Sequence, residues 1–114
     1  MYDKNNIFAT ILRGEAECKK VYEDKNVLAF YDLHPSAPIH VLVVPKGEFK
    51  SFDDFASNSQ NVADFFKAVQ KIATKLELIK SGYRIVTNHG DDAGQIVPHF
   101  HVHILGGKKL DKLA

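Results

Sequence analysis

Three histidines stand at alternate positions in His99-Phe100-His101-Val102-His103-Ile104-Leu105, directly before Gly106-Gly107. In an extended strand successive side chains point to opposite faces. The imidazoles then share one face, and Phe100, Val102 and Ile104 share the other, so one face can join the core while the other does chemistry. Two chemistries suit this pattern. One is a metal site, with imidazoles holding a catalytic zinc that keeps one position open. The other is metal-free: a neutral imidazole attacks phosphorus while its neighbours donate hydrogen bonds to phosphate oxygens or to a leaving group. Spacing alone leaves both open. The preceding loop favours the second, because Gly90, Gly94 and Gln95 offer backbone N–H groups and an amide suited to an anion. A nucleophilic histidine must be neutral, with one ring nitrogen free and the other N–H held by a fixed acceptor. His101, with an imidazole on either side, is the natural candidate. His99 and His103 become orienting or phosphate-contacting groups, and His40 joins them if its strand is a neighbour.

The elements that must position these groups follow from periodicity. Ile7, Phe8, Ile11 and Leu12 form a helical stripe, with Asp3 or Asn5 as its cap and Gly14 as its stop. Lys20–Glu23 and Val27–Tyr31, joined by a polar turn, read as an antiparallel hairpin. Asp32 follows at once; an acidic residue there forms a turn or serves as a ligand carboxylate. Val41 to Val44 is a continuous apolar run, as in a strand covered on both faces, and His40 stands at its entrance. A short helical turn is expected around Asp53-Asp54-Phe55. The main helix is expected from about residue 60 to 80, capped by Ser59 or Asn61, with Val62, Phe65, Phe66, Val69, Ile72, Ala73 and Leu76 on its inner stripe and Lys67, Lys71 and Lys75 facing water. Strands 83–88 and 99–105 form a long hairpin. Antiparallel strands with one large crossover helix give an α+β fold.

At 114 residues the chain fits one domain, spanning 1–114. Its net charge of +1 gives no basis for a nucleic-acid groove, though a local phosphate site needs only a few donors. Cys18 is the only cysteine, which excludes an intramolecular disulfide and a cysteine-rich zinc site. The N-terminal residues are polar and no stretch approaches a membrane span, so a cytoplasmic location is expected.

Residues 99–105 resemble the motif of the histidine triad (HIT) family, in which three histidines alternate with apolar residues, and match it at every position. The resemblance extends through Arg13-Gly14-Glu15, Leu28-Ala29-Phe30-Tyr31-Asp32, Pro38-Ile39-His40 to Lys46, Gly82-Tyr83-Arg84 and Gly94-Gln95-Ile96-Val97, and is strongest to the nucleotide-binding branch. It implies a five-stranded antiparallel sheet with one long and one short helix, and a homodimer with a ten-stranded sheet. It implies a phosphoramidase that cleaves nucleoside 5′-phosphoramidates, of the adenosine 5′-monophosphoramidate kind, at the α-phosphate through a nucleotidyl-histidine, with no cofactor or metal. The partner is then a purine nucleotide, with neither nucleic acid nor membrane involved.

Carried over by motif, His101 matches the nucleophile, and His99, His103 and His40 match the other active-site histidines. Asp32 matches the carboxylate that takes the ribose hydroxyls, and Asn88 and Gln95 match polar groups near the phosphate. Ile7, Phe8, Ile11, Phe30 and Leu42 match the base pocket, with Tyr31 and Leu33 at its rim. Three departures stand out. Asn6 and Ala9 occupy the positions of a Cys-x-x-Cys pair that binds structural zinc in many bacterial relatives. Ile96 replaces a Ser or Thr that meets the phosphate or leaving group, which bears on rate and leaving-group preference. The tail after Gly107 lacks the aromatic, proline-rich ending of some relatives, which bears on selectivity. The resemblance also admits two other activities: nucleotide binding with vestigial turnover, and dinucleoside polyphosphate hydrolysis or nucleotidyl transfer.

Overall fold

The computed structural model describes residues 1–113. Its elements run α1 (Ile7–Leu12), β1 (Lys20–Glu23), β2 (Val27–Tyr31), β3 (Ile39–Pro45), α2 (Phe52–Phe55), α3 (Ser59–Lys75), β4 (Arg84–Val86), one 3-10 turn at Asp91–Ala93, and β5 (Val102–Gly106). The strands form one antiparallel sheet in the order β1-β2-β3-β5-β4. The expected α+β class and five-stranded antiparallel sheet are therefore both present. No helix among the described residues is long and apolar enough to cross a membrane.

Both faces of β2 and β3 are covered, which explains their largely apolar runs, while β5 alternates between buried and half-buried residues. One face sends Val27, Ala29, Val41, Val43, Val102 and Ile104 toward Phe65, Val69 and Ile72 of α3. Phe100 stacks on Phe55 there, with ring centroids 4.5 Å apart. The opposite face gathers Leu28, Phe30, Leu42 and Val44 around Phe8 of α1. α1 is only six residues long. It covers part of that face and leaves the rest to the histidines.

Local chemistry moves several boundaries. Asn6, not Asp3 or Asn5, caps α1; its side-chain oxygen accepts from the Ala9 N–H at 2.9 Å. The side chain standing at the first zinc-cysteine position of the resembling family is thus a buried helix cap. Asn58 likewise caps α3 through the Asn61 N–H. That helix ends at Lys75, well before Gly82. Glu77 takes a left-handed φ of 60°, and the Glu77 and Leu78 N–H groups bond back to Thr74 O and Ala73 O. This is a Schellman ending with glutamate where glycine is usual, and it drives Leu78 into the core. Lys75 does not simply face water, because its ammonium donates to Val21 O at 2.7 Å.

The histidine segment is only partly a strand. Regular pairing begins at Val102, so His99 lies in a bend and His101 just outside the ladder. The inside–outside alternation survives all the same: Phe100, Val102 and Ile104 enter the α3 core. Gly106 and Gly107 close the strand under tight contacts. A Cβ on Gly107, whose φ is +91°, would sit 2.9 Å from Pro38 Cβ.

Candidate functional site

A cavity of about 420 Å³ opens on the α1 face of the sheet. Twelve of the fourteen catalytic and nucleotide-contacting residues expected from the sequence line it: Ile7, Phe8, Ile11, Phe30, Tyr31, Asp32, Leu33, Leu42, Asn88, Gln95, His101 and His103. His40 and His99 lie behind this wall and act on it through hydrogen bonds. Strand register makes the grouping. Leu42 pairs with His103 and His40 with Leu105, so His40 and His103 are diagonal neighbours on one face.

His101 is buried, and its ring meets Phe8 edge to face at 4.9 Å. Its Nδ1 lies 2.7 Å from the His99 carbonyl oxygen. A carbonyl only accepts, so Nδ1 carries the proton and Nε2 keeps its lone pair. The His101 carbonyl is held in turn by the Thr87 hydroxyl at 2.7 Å. The residue is anchored at both its ring and its backbone.

A second chain of bonds sets the other ring pair. The Ser36 N–H donates to His40 Nδ1 at 2.9 Å. In the neutral ring Nε2 must then bear the hydrogen, which it donates to His103 Nδ1 at 2.9 Å. His103 therefore retains Nε2–H as a donor. His101 offers a lone pair and His103 a proton on rings whose centroids are 5.1 Å apart.

All four histidines have lowered pKa values, burial being the first cause in each. His103 falls furthest, to about 4, with His101 and His40 adding to the effect and Asp32 opposing it. The Asp32 carboxylate also partly offsets burial at His40 and His101. The rings are neutral at neutral pH, as the acceptor nitrogens of His40 and His103 require and as burial imposes on His101.

Asp32 forms the turn that its sequence position allowed and also lines the cavity. Oδ1 accepts from the His34 N–H at 2.8 Å, as in an Asx turn, while Oδ2 lies 3.5 Å from His40 Nε2 at the cavity. Gln95 lines the cavity, but its amide is engaged with the backbone. Oε1 accepts from the Gly90 N–H, and Nε2 donates to Lys50 O and Val97 O. Its side chain braces the loop. Ile96 is 91% exposed at the cavity, opposite in character to a hydroxyl.

The three motif imidazoles do not converge as metal ligands, since His99 directs Nε2 to Pro45 O. The group that does converge is Asp32, His40 and His103, with ligand atoms within 4.8 Å of one another. The tautomers argue against a metal there. His40 Nδ1 is taken by Ser36 N–H, and its other nitrogen carries a hydrogen rather than a free lone pair.

Sequence reading passed over Glu17, Cys18 and His34, which also line the cavity. Glu17 and Cys18 fall in the irregular link between α1 and β1, where no periodic signal exists. Thr87 and Tyr2, which support the histidines, carried no pattern either.

The HIT domain model matches residues 13–110. The chain is 48% identical over 111 residues to an uncharacterised 13.2 kDa HIT-like protein of Azospirillum brasilense, covering 96% of this chain and 91% of that one. It superposes on a histidine triad protein from Clostridium difficile with a TM-score of 0.91, at 43% identity and with both chains fully covered. A HIT family hydrolase from Clostridium thermocellum superposes with a TM-score of 0.89, at 38% identity over 97% of each chain.

Proposed function

As the chain belongs to the histidine triad (HIT) family, we propose that it is a nucleotide hydrolase that cleaves nucleoside 5′-phosphoramidates at the α-phosphate through a covalent nucleotidyl-His101. The observation that carries this reading is the tautomer of His101. Its Nδ1–H is fixed on the His99 carbonyl, which leaves a neutral Nε2 lone pair on a ring of the cavity wall.

In the first step Nε2 forms a bond to phosphorus as the P–N bond of the substrate breaks. The leaving amine takes up a proton from solvent, matched by the proton that water releases in the second step, and departs. Charge that develops on the His101 ring is stabilised by the Nδ1–H bond to the carbonyl. His103 Nε2–H is available for a phosphate oxygen or for the leaving group. In the second step water attacks phosphorus, releases a proton and displaces Nε2. The products are a nucleoside monophosphate and an amine, and the His101 lone pair is restored. Asp32 takes the ribose hydroxyls, and Ile7, Phe8, Ile11, Phe30 and Leu42 hold a purine base. Asn88, half-buried in the cavity lining, is assigned to the phosphate.

The same reading carries a homodimer. Strand β4 is an edge of the sheet, and Ile79, Tyr83 and Ile85 are exposed on or near it. The apolar stripe of helix α3 is largely buried within the protomer. The apolar surplus lies at β4 instead.

Mass spectrometry of protein quenched during turnover of adenosine 5′-phosphoramidate tests the reading. A nucleotidyl mass on the peptide containing residues 99–103 is expected, and His101→Gly should lose both that mass and turnover. Full activity in His101→Gly would overturn the assignment.

A further inference from the structure

Tyr2 lies outside the cavity, yet its hydroxyl is bonded to the wholly buried His99. His99 Nε2 is 2.9 Å from Pro45 O, so this nitrogen carries the hydrogen and Nδ1 is an acceptor. The phenol is the donor that satisfies it. The Tyr2 ring also meets the His99 ring edge to face, with centroids 5.7 Å apart. His99 is thus held at both ring nitrogens, and its own carbonyl holds His101 Nδ1. Because residues 99–101 lie outside the regular ladder, these bonds do the work that strand pairing does elsewhere.

We propose that Tyr2 is a positioning residue for the His101 reaction: its hydroxyl fixes the ring of His99, whose carbonyl aims the nucleophile. The inference rests on the His101 mechanism above and adds a residue 97 positions from its partner in sequence. Burial keeps the phenol protonated and therefore a donor, while the Asn6 amide opposes that effect. Asp3 beside Tyr2, Arg13 after α1 and Glu48 after β3 are the charged groups acting on the phenol. His101 is the titratable group acting on His99 from its own segment. α1 contributes the apolar Phe8 ring to this environment, 6.3 Å from that of His99. A donor on Nδ1 opposes protonation there. Without it, His99 can accept a proton and place a positive charge next to the nucleophile.

Tyr2→Phe keeps the ring packing and removes only the hydroxyl. KM should hold, since Tyr2 does not line the cavity, while kcat falls about tenfold as the nucleophile loses its fixed aim. The acid limb of the kcat profile should move toward neutral pH. Nitrogen-15 NMR of the histidine rings provides a readout independent of turnover. Wild-type His99 should hold the neutral Nε2–H form at neutral pH, and in Tyr2→Phe the His99 ring should take up its second proton at a higher pH than in wild type. Wild-type kcat and pH profile in Tyr2→Phe, or an unchanged His99 spectrum, would overturn the proposal. Wild-type protein that turns over without nucleotidyl-His101 would instead overturn the mechanism beneath it, so the two failures are distinguishable.

Discussion

Acidification should destabilise this protein through the buried histidines of the cavity before Glu23 takes part. His103 titrates at about 4 in the folded chain, against an ordinary 6.5. Below pH 6.5 the unfolded chain binds a proton that the folded site refuses, so stability falls as pH falls, until the folded ring itself titrates. The full displacement of about 2.5 units is worth roughly 3.4 kcal/mol. Between pH 7 and pH 5, His103 alone contributes a loss of about 2 kcal/mol. An unfolding entropy of about 2.1 cal/mol/K per residue gives this chain roughly 240 cal/mol/K, so Tm should drop by about 8 °C over that interval. His40, His99 and His101 are displaced in the same direction and add to the drop. The lowered carboxylate of Glu23, held by Lys20 and Lys46, titrates at about 2, and its contribution is lost only as pH falls below 4.5. Scanning calorimetry from pH 7 to 5 therefore isolates the imidazoles. His103→Gln, which cannot titrate, should show a pH dependence shallower by about 8 °C. A wild-type Tm that is flat over this interval, or an equal slope in the variant, would refute the reasoning.

Three further outcomes can be measured directly. Asp32→Ala should weaken nucleotide binding by about tenfold or more in calorimetric titration, the range expected when a charged hydrogen-bond acceptor is lost. Gly107→Ala should cost about 1–3 kcal/mol in denaturant unfolding, from a left-handed φ and a contact with rigid Pro38. Gly106→Ala should cost less, because its nearest obstacle is the flexible end of Leu78. Sedimentation should show a homodimer at micromolar concentration, and a monomer there would count against the β4 interface.

The histidine pattern was legible because a period-two code is local: which residues face the core is decided within the segment itself. The strands of the β1–β2 hairpin and the apolar run of β3 were legible for the same reason. Helix ends were not. Asn58 outcompetes Ser59 because its oxygen reaches the Asn61 N–H, a matter of geometry that residue type does not reveal. Glu77 ends α3 in a conformation that glycine usually supplies, and only the burial of Leu78 makes it worthwhile. In the cavity, the apolar walls and Asp32 could be identified through family motifs. The supports could not: Tyr2, Ser36 and Thr87 act through single hydrogen bonds that span 97, 4 and 14 positions. Such pairings leave no periodic trace. Gln95 shows the converse, since a residue type suited to phosphate is occupied in bracing its own loop.

The order β1-β2-β3-β5-β4 places β5, the last strand in sequence among the described residues, inside the sheet, between β3 and β4. Until β5 emerges, β4 has no neighbour to pair with, and β3 presents an open edge of unpaired amides. The chain synthesised between β3 and β5 therefore carries an incomplete sheet with an open edge. Insertion of β5 closes that edge and delivers His103 to His40 in the same event. The same strand therefore completes both the sheet and the histidine cluster, so a chain stalled before residue 102 has neither.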